Sequence, residues 1–129
     1  MIDDVLCRRL VDKARQAQQH AYAPYSKFTV GAALLAGDGT IYTGCNVENS
    51  SYGLTICAER NAIFHAVACG CRDFRAIAIA GSSSGYTVPC GACRQVMAEF
   101  NIADVIMVRP DDTYTVVPLQ KLLPYTFTL

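Results

Sequence analysis

Phe28-Thr29-Val30-Gly31-Ala32-Ala33-Leu34-Leu35-Ala36, then Gly37-Asp38-Gly39, then Thr40-Ile41-Tyr42-Thr43-Gly44-Cys45, decides the fold. Two apolar runs are joined by three residues that tolerate positive φ, the chemistry of a β-hairpin, so the first two strands are expected to be antiparallel neighbours. On the N-terminal side, residues 3–22 carry Leu6, Leu10, Ala14 and Ala17 at three- and four-residue spacing with charges between them, which predicts an amphipathic helix ended by Ala23-Pro24-Tyr25. On the C-terminal side the polar, Gly- and Ser-containing stretch 46–56 reads as a loop. Helical spacing then resumes over Cys57–Ala68 through Ala62, Ile63, Ala66 and Val67. Arg75–Ala80 is a short apolar strand, and Cys93, Val96, Met97 and Phe100 mark another helix. Val105–Arg109 and Tyr114–Val117 read as the last strands, with Pro118–Leu123 a short terminal helix. Strands alternating with helices after an opening hairpin imply a sheet covered on both faces, an α/β protein built as a three-layer α/β/α sandwich. No internal repeat divides residues 1–129, which are read as one domain.

Composition narrows the function classes. Of the 129 residues 52% are hydrophobic and 17% charged, which argues against disorder and suggests that some apolar surface is covered in an oligomer. Formal net charge is zero and no Lys/Arg block occurs, so a nucleic-acid groove is not expected and a small neutral substrate fits better. The N-terminal segment, with Asp3, Asp4 and mixed charges through Arg15, resembles neither a signal peptide nor a membrane span. Seven cysteines fit poorly with a fully paired secreted scaffold and better with reduced thiols and a metal site, so a cytoplasmic location is expected.

Chemistry concentrates in Cys57-Ala58-Glu59-Arg60 and Pro89-Cys90-Gly91-Ala92-Cys93-Arg94. Cys90 and Cys93, three apart, place two sulfurs on one helical face, and Cys57 can supply a third ligand. Three protein ligands leave a fourth tetrahedral position for water, the pattern of a catalytic Zn2+ rather than a closed structural one. Glu59 is then placed to take and return a proton as general base and general acid. Cys57 and Glu59 are two apart and cannot share a face within a helix, so Cys57 belongs at the very start of one. Three thiolates around one divalent cation carry a net charge of −1, which helix N-termini would offset. Arg60 and Arg94, each beside a site residue, are candidate hydrogen-bond donors to the sulfurs.

Residues 28–34, 44–60 and 89–96 closely resemble the short, all-cysteine cytidine deaminases, and the similarity runs over nearly the whole chain. Its most specific part is the combination of Asn46, Glu48, Cys57, Glu59, Cys90 and Cys93. The resemblance implies a mixed five-stranded sheet with both metal segments at helix N-termini, one Zn2+ per subunit and a homotetramer active in pyrimidine salvage. It implies attack of a metal-activated water on C4 of cytidine or 2′-deoxycytidine, with Glu59 protonating N3 and then the departing amine. Asn46 and Glu48, two apart in an extended segment, correspond to residues that hold the ribose 3′-hydroxyl. Phe28 matches an aromatic that packs on the pyrimidine, Ala58 and Cys90 lend backbone atoms to base recognition, and Phe127 resembles an aromatic that closes a neighbouring subunit's pocket. Arg60 matches an arginine that contacts ligand sulfurs; a comparable role is expected of Arg94.

Plainer readings compete at several positions. Cys7, Cys45, Cys69 and Cys71 read as small core residues, and His20 and His65 as structural or surface residues. On pattern alone Phe28 is a core residue and Asn46 and Glu48 are loop polars. The alternative functions are deamination of another aminopyrimidine nucleoside, editing of RNA or DNA bases, and a non-enzymatic interaction module with a closed four-ligand zinc.

Overall fold

The computed structural model describes residues 2–129. In chain order the elements are α1 (Asp4–Gln18), β1 (Val30–Ala36), β2 (Ile41–Cys45), a 3-10 turn (Tyr52–Leu54), α2 (Ala58–Ala68), β3 (Phe74–Gly81), α3 (Gly91–Glu99), β4 (Asp104–Val108), β5 (Tyr114–Pro118) and α4 (Leu119–Leu122). The five strands form one mixed sheet in the order β2-β1-β3-β4-β5. Only β3 and β4 pair in parallel, as a strand-helix-strand crossover through α3 allows; the other three pairs are antiparallel.

The opening hairpin forms as its sequence requires. Gly39 takes φ 91°, and Leu35 pairs with Ile41 next to the turn. Every residue of β1 is buried because the strand lies inside a sheet covered on both sides. Val30, Ala32, Leu34 and Ala36 face a core with Ala62, Ile63, Cys93 and Met97 from α2 and α3. Ala33 and Leu35 face Leu10, Val11 and Ala14 of α1. Burying side chains such as Leu10, which is fully enclosed, stabilises the fold by about 1.5–3 kcal/mol each. The result is the expected α/β/α sandwich, with α1 on one face and α2 and α3 on the other.

Two glycines set how closely the helices approach. A Cβ on Gly31 would lie 2.0 Å from the Ala14 carbonyl oxygen of α1, and one on Gly44 would lie 2.4 Å from the Ala62 nitrogen of α2. Helix α2 is pinned further by Asn61 Nδ2 donating to the Cys45 carbonyl at 2.8 Å.

Helix α1 starts as predicted, with the Asp3 carboxylate capping the Leu6 amide at 2.9 Å, but it ends at Gln18 rather than near residue 22. Tertiary pairing takes the missing residues: the Tyr22 amide donates to the Asn46 carbonyl at 2.9 Å, and the Tyr22 carbonyl accepts from Glu48 N at 2.8 Å. Loop 46–56 is therefore not free. Val47 bridges both Tyr22 and Ile56, and the 3-10 turn shortens the return. Among the plain cysteines, Cys7 is buried and Cys45 and Cys71 are half-buried, whereas Cys69 is exposed. Cys69 caps the C-terminus of α2 ahead of Gly70, which adopts φ 87° and ends the helix.

Candidate active site

Topology brings the two thiol segments together. Strands β2 and β3 both run antiparallel to β1, so they point the same way, and the helices that follow them, α2 and α3, begin at the same end of the sheet. Cys57 is the N-cap of α2 and Cys90 the N-cap of α3, each with extended backbone and neither using its side chain to cap. Their sulfurs are thus left free to face each other, at 3.8 Å. Cys93, one turn into α3, is fully buried, and the three Sγ atoms lie within 4.8 Å of one another. Among the described residues this is the one group of three or more metal-ligating side chains.

The donor set fits a thiophilic divalent cation. Hydrogen bonding from Cys93 lowers the Cys57 thiol pKa well below its usual value, with Arg60 assisting, while the same shared proton and burial push Cys93 upward. Three thiols converging at two helix N-termini favour the thiolate form and so form a place for a cation. Arg60 Nη2 donates to Cys57 Sγ at 3.5 Å. Its Nε is buried without a partner, so the guanidinium keeps a spare donor beside the sulfurs.

Glu59 occupies the first turn of α2 and is 4% exposed. Burial is the main cause that raises its carboxyl pKa to about 7. A carboxyl poised near neutrality can both accept and donate a proton, which is what acid-base catalysis asks of it. Ala58, between Cys57 and Glu59, is fully buried at the first helical position.

A second cluster lies on irregular backbone. On the extended segment between Tyr22 and Ile56 Asn46 is buried and Glu48 half-buried, while Val47 turns out to 45% exposure. Asn46 is buried: its Oδ1 accepts from Val30 N at 2.9 Å and its Nδ2 donates to the Phe28 carbonyl at 2.8 Å. The Glu48 carboxylate accepts from Tyr25 N at 2.9 Å, Ser26 N at 3.2 Å and Ser26 Oγ. The Ser26 hydroxyl is the largest influence holding the Glu48 carboxyl below its usual range. Glu48 lines a cavity of about 390 Å³ with Tyr25, Ser26, Tyr52 and Thr55, two residues short of Cys57. A larger cavity, about 550 Å³ between Asn101, Asp104, Pro118 and Thr126, holds none of the thiols and belongs to another part of the molecule.

Other expected residues are placed differently. Phe28 stands 41% exposed beside Asn46 rather than in the core. Phe127 is 67% exposed, and only its carbonyl is held, by Gln95 Nε2 of α3 at 3.0 Å. Arg94 departs from its expected role: Nε donates to the Pro89 carbonyl at 2.9 Å and Nη1 to the Leu122 carbonyl at 2.7 Å. It points along α3 toward the C-terminal segment and braces the start of the helix instead of the sulfurs. His65 sits at 3.0 Å from the Thr43 carbonyl, a packing contact between α2 and β2, and His20 is exposed. Ser26 was missed by sequence reasoning because its partner Glu48 lies 22 residues away; the available local signal was a serine two residues before an aromatic, Phe28.

Residues 6–109 match the model of the cytidine and deoxycytidylate deaminase zinc-binding region. The chain is 59% identical over 92 residues to a cytidine deaminase of Sporosarcina psychrophila, covering 71% of this chain and 68% of that protein. It is 48% identical over 121 residues to a probable cytidine deaminase of Dictyostelium discoideum, covering 93% and 82%. The crystal structure of cytidine deaminase from Burkholderia pseudomallei superposes with a TM-score of 0.88 at 48% identity, over 92% of this chain and 97% of that one. Three convergent thiols, a buried carboxylate beside them and this extent of similarity establish that the chain belongs to the cytidine deaminase family with a three-cysteine metal-binding motif.

Proposed function

We infer that this protein converts cytidine and 2′-deoxycytidine, with one water, to uridine and 2′-deoxyuridine and ammonia. The observation that carries this reading is the packing of three thiols within 4.8 Å of one another beside the buried Glu59. Cys57, Cys90 and Cys93 would hold Zn2+, which supplies the Lewis acidity that brings the pKa of water near 7.

The chain's own residues do the rest. Buried Glu59 takes a proton from the attacking water, delivers it to N3 of the base and then protonates the leaving amine at C4. Its neutral-range pKa suits a group that must change protonation state within each turnover. Arg60 offsets the negative charge of the thiolates and fixes Cys57. Asn46 and Glu48 hydrogen-bond the sugar, Glu48 as an acceptor only, Phe28 packs against the pyrimidine, and the backbone at Ala58 and Cys90 reads its polar edge.

Phe127, exposed in one chain, closes the pocket of a neighbouring copy in a homotetramer. Exposure of Tyr22, Val47, Leu54 and Val88 supports such an assembly, because these apolar side chains need cover. The working location is the cytoplasm. Among the described residues no helix is long and apolar enough to cross a membrane. Zero formal charge supports a nucleoside rather than a polynucleotide as substrate.

The test is to mix zinc-loaded protein separately with cytidine, deoxycytidine and CMP, following ultraviolet absorbance and released ammonia, with Glu59→Gln as control. Turnover of both nucleosides but not CMP, lost in the variant, supports the reading. A zinc-loaded protein that leaves both nucleosides untouched overturns it.

A further inference from the structure

We propose that Ser26 is a positioning residue for sugar recognition, holding Glu48 and Phe28 in one rigid cradle so that a single acceptor site of the carboxylate is left for a substrate hydroxyl. The inference rests on the reading above, in which Glu48 meets the 3′-hydroxyl of the nucleoside, and it adds how that contact is aimed.

Hydrogen-bond chemistry leaves little freedom in this turn. The Phe28 amide can only donate, and it donates to Ser26 Oγ at 3.0 Å. An ionised carboxylate can only accept, so the one hydroxyl hydrogen of Ser26 must point at Glu48 Oε2. A single side chain therefore ties the backbone of the base-packing aromatic to the sugar-binding carboxylate. Neither tie can reverse without leaving a group unpaired.

The count of acceptor sites carries the consequence. A carboxylate offers about four lone-pair positions, two on each oxygen. Oε1 accepts from both the Tyr25 and the Ser26 amides, at 2.9 and 3.2 Å. Oε2 accepts from Ser26 Oγ and retains one position. That position faces a ligand as an acceptor only and selects a group that donates, a sugar hydroxyl, over an ether, a hydrogen or an anionic oxygen. Removing the serine hydroxyl would free a second acceptor on Oε2 and let the carboxylate swing about its last bond.

The backbone is arranged to keep this cradle. Lys27, between Ser26 and Phe28, adopts φ 61°, the left-handed region that a non-glycine residue enters only when its surroundings impose it. Its amide donates to the Ala23 carbonyl at 3.1 Å, and the Ser26-to-Phe28 bond closes the next step of the turn. Ser26 itself is exposed, so its side chain adds nothing to the packed core. The two bonds of its hydroxyl, to Glu48 and from Phe28, are the work the structure gives it.

The experiment compares kcat/KM for cytidine and 3′-deoxycytidine in the wild type, Ser26→Ala and Ser26→Thr, with melting temperature and zinc content measured on each. The wild type is expected to prefer cytidine by about 100-fold or more, as sites built to bond a hydroxyl do. Ser26→Ala is expected to compress that preference by about tenfold, mainly through a higher KM for cytidine, with zinc content unchanged. Ser26→Thr, which keeps the hydroxyl, restores it to within about threefold. An alanine variant that is folded, zinc-loaded and still fully selective overturns the inference while leaving the deaminase reading intact. Equal use of both nucleosides by the wild type overturns the Glu48 contact and the inference with it; no turnover of cytidine at all overturns the functional reading itself. If Ser26→Ala does not fold, Ser26→Cys, similar in size but a weaker donor, carries the same comparison, with reduced selectivity expected and undiminished selectivity overturning the proposal.

Discussion

The thiol pocket and the cradle around Glu48 are built in opposite ways. Cys57, Cys90 and Cys93 occupy the first positions of two regular helices, where spacing along the chain translates directly into geometry. Glu48, Asn46 and Ser26 sit on turns and extended loops, held by bonds that join residues 16 to 23 positions apart. Rigid elements aim the first site; a web of side-chain-to-backbone bonds aims the second. Variants should therefore act sharply and on chemistry in the pocket, and more gradually and on selectivity in the cradle.

Glu59→Gln is the most severe way to test that contrast. With its proton chemistry removed but its shape kept, kcat is expected to fall by about 10²–10⁴-fold while zinc is retained, measured by ammonia release and metal content. Normal turnover would remove Glu59 from the mechanism.

Arg60→Ala should come next. Loss of the donor to Cys57 Sγ is expected to weaken zinc affinity or activity by about 10–100-fold with the fold intact, read by competition with a chelator and by kinetics. Unchanged zinc retention and kinetics would show that the sulfur contact has no consequence.

Gly44→Ala and Gly31→Ala sharpen the comparison between the two faces of the sheet. Each Cβ meets helix backbone, Ala62 N at 2.4 Å in one case and Ala14 O at 2.0 Å in the other, so each variant should lose about 1–3 kcal/mol of stability in denaturant titration. Only Gly44→Ala displaces the helix that carries Cys57 and Glu59 and should also weaken zinc binding. Equal zinc affinity in the two variants would mean that α2 is not positioned through β2.

Arg94→Ala is the mildest. Arg94 braces the Pro89 and Leu122 carbonyls, so its loss is expected to cost about 1 kcal/mol of stability and to change zinc affinity by no more than about threefold. A loss as large as that of Arg60→Ala would restore it to the metal site.

The same division explains how far the residues could be read in advance. The hairpin, the helix starting at Ala58 and the apolar strand through Ile77 follow from glycine chemistry and periodicity, and the observed strands differ from the expected ones by one or two residues at their ends. Helix α1 stops early because Tyr22 is captured by Asn46 and Glu48, a pairing across more than 20 residues that no local pattern announces. Arg60 and Arg94 looked equivalent, each adjacent to a site residue, yet only one turns toward sulfur. Adjacency along a chain does not say where a long side chain lands.

Residue identity and spacing alone therefore marked Cys57, Glu59, Cys90 and Cys93 as the candidate groups for the chemistry and pointed to the family to which that combination belongs, because helical geometry is local and repeats every few residues. Tertiary structure decided the rest. The shared direction of β2 and β3 brought two helix N-termini to one end of the sheet, burial brought Glu59 to the edge of neutrality, and long-range hydrogen bonds gave Ser26 its place under Glu48. Each of these depends on groups distant along the chain meeting out of water, and that meeting is decided by the folded packing rather than by any local run of residues.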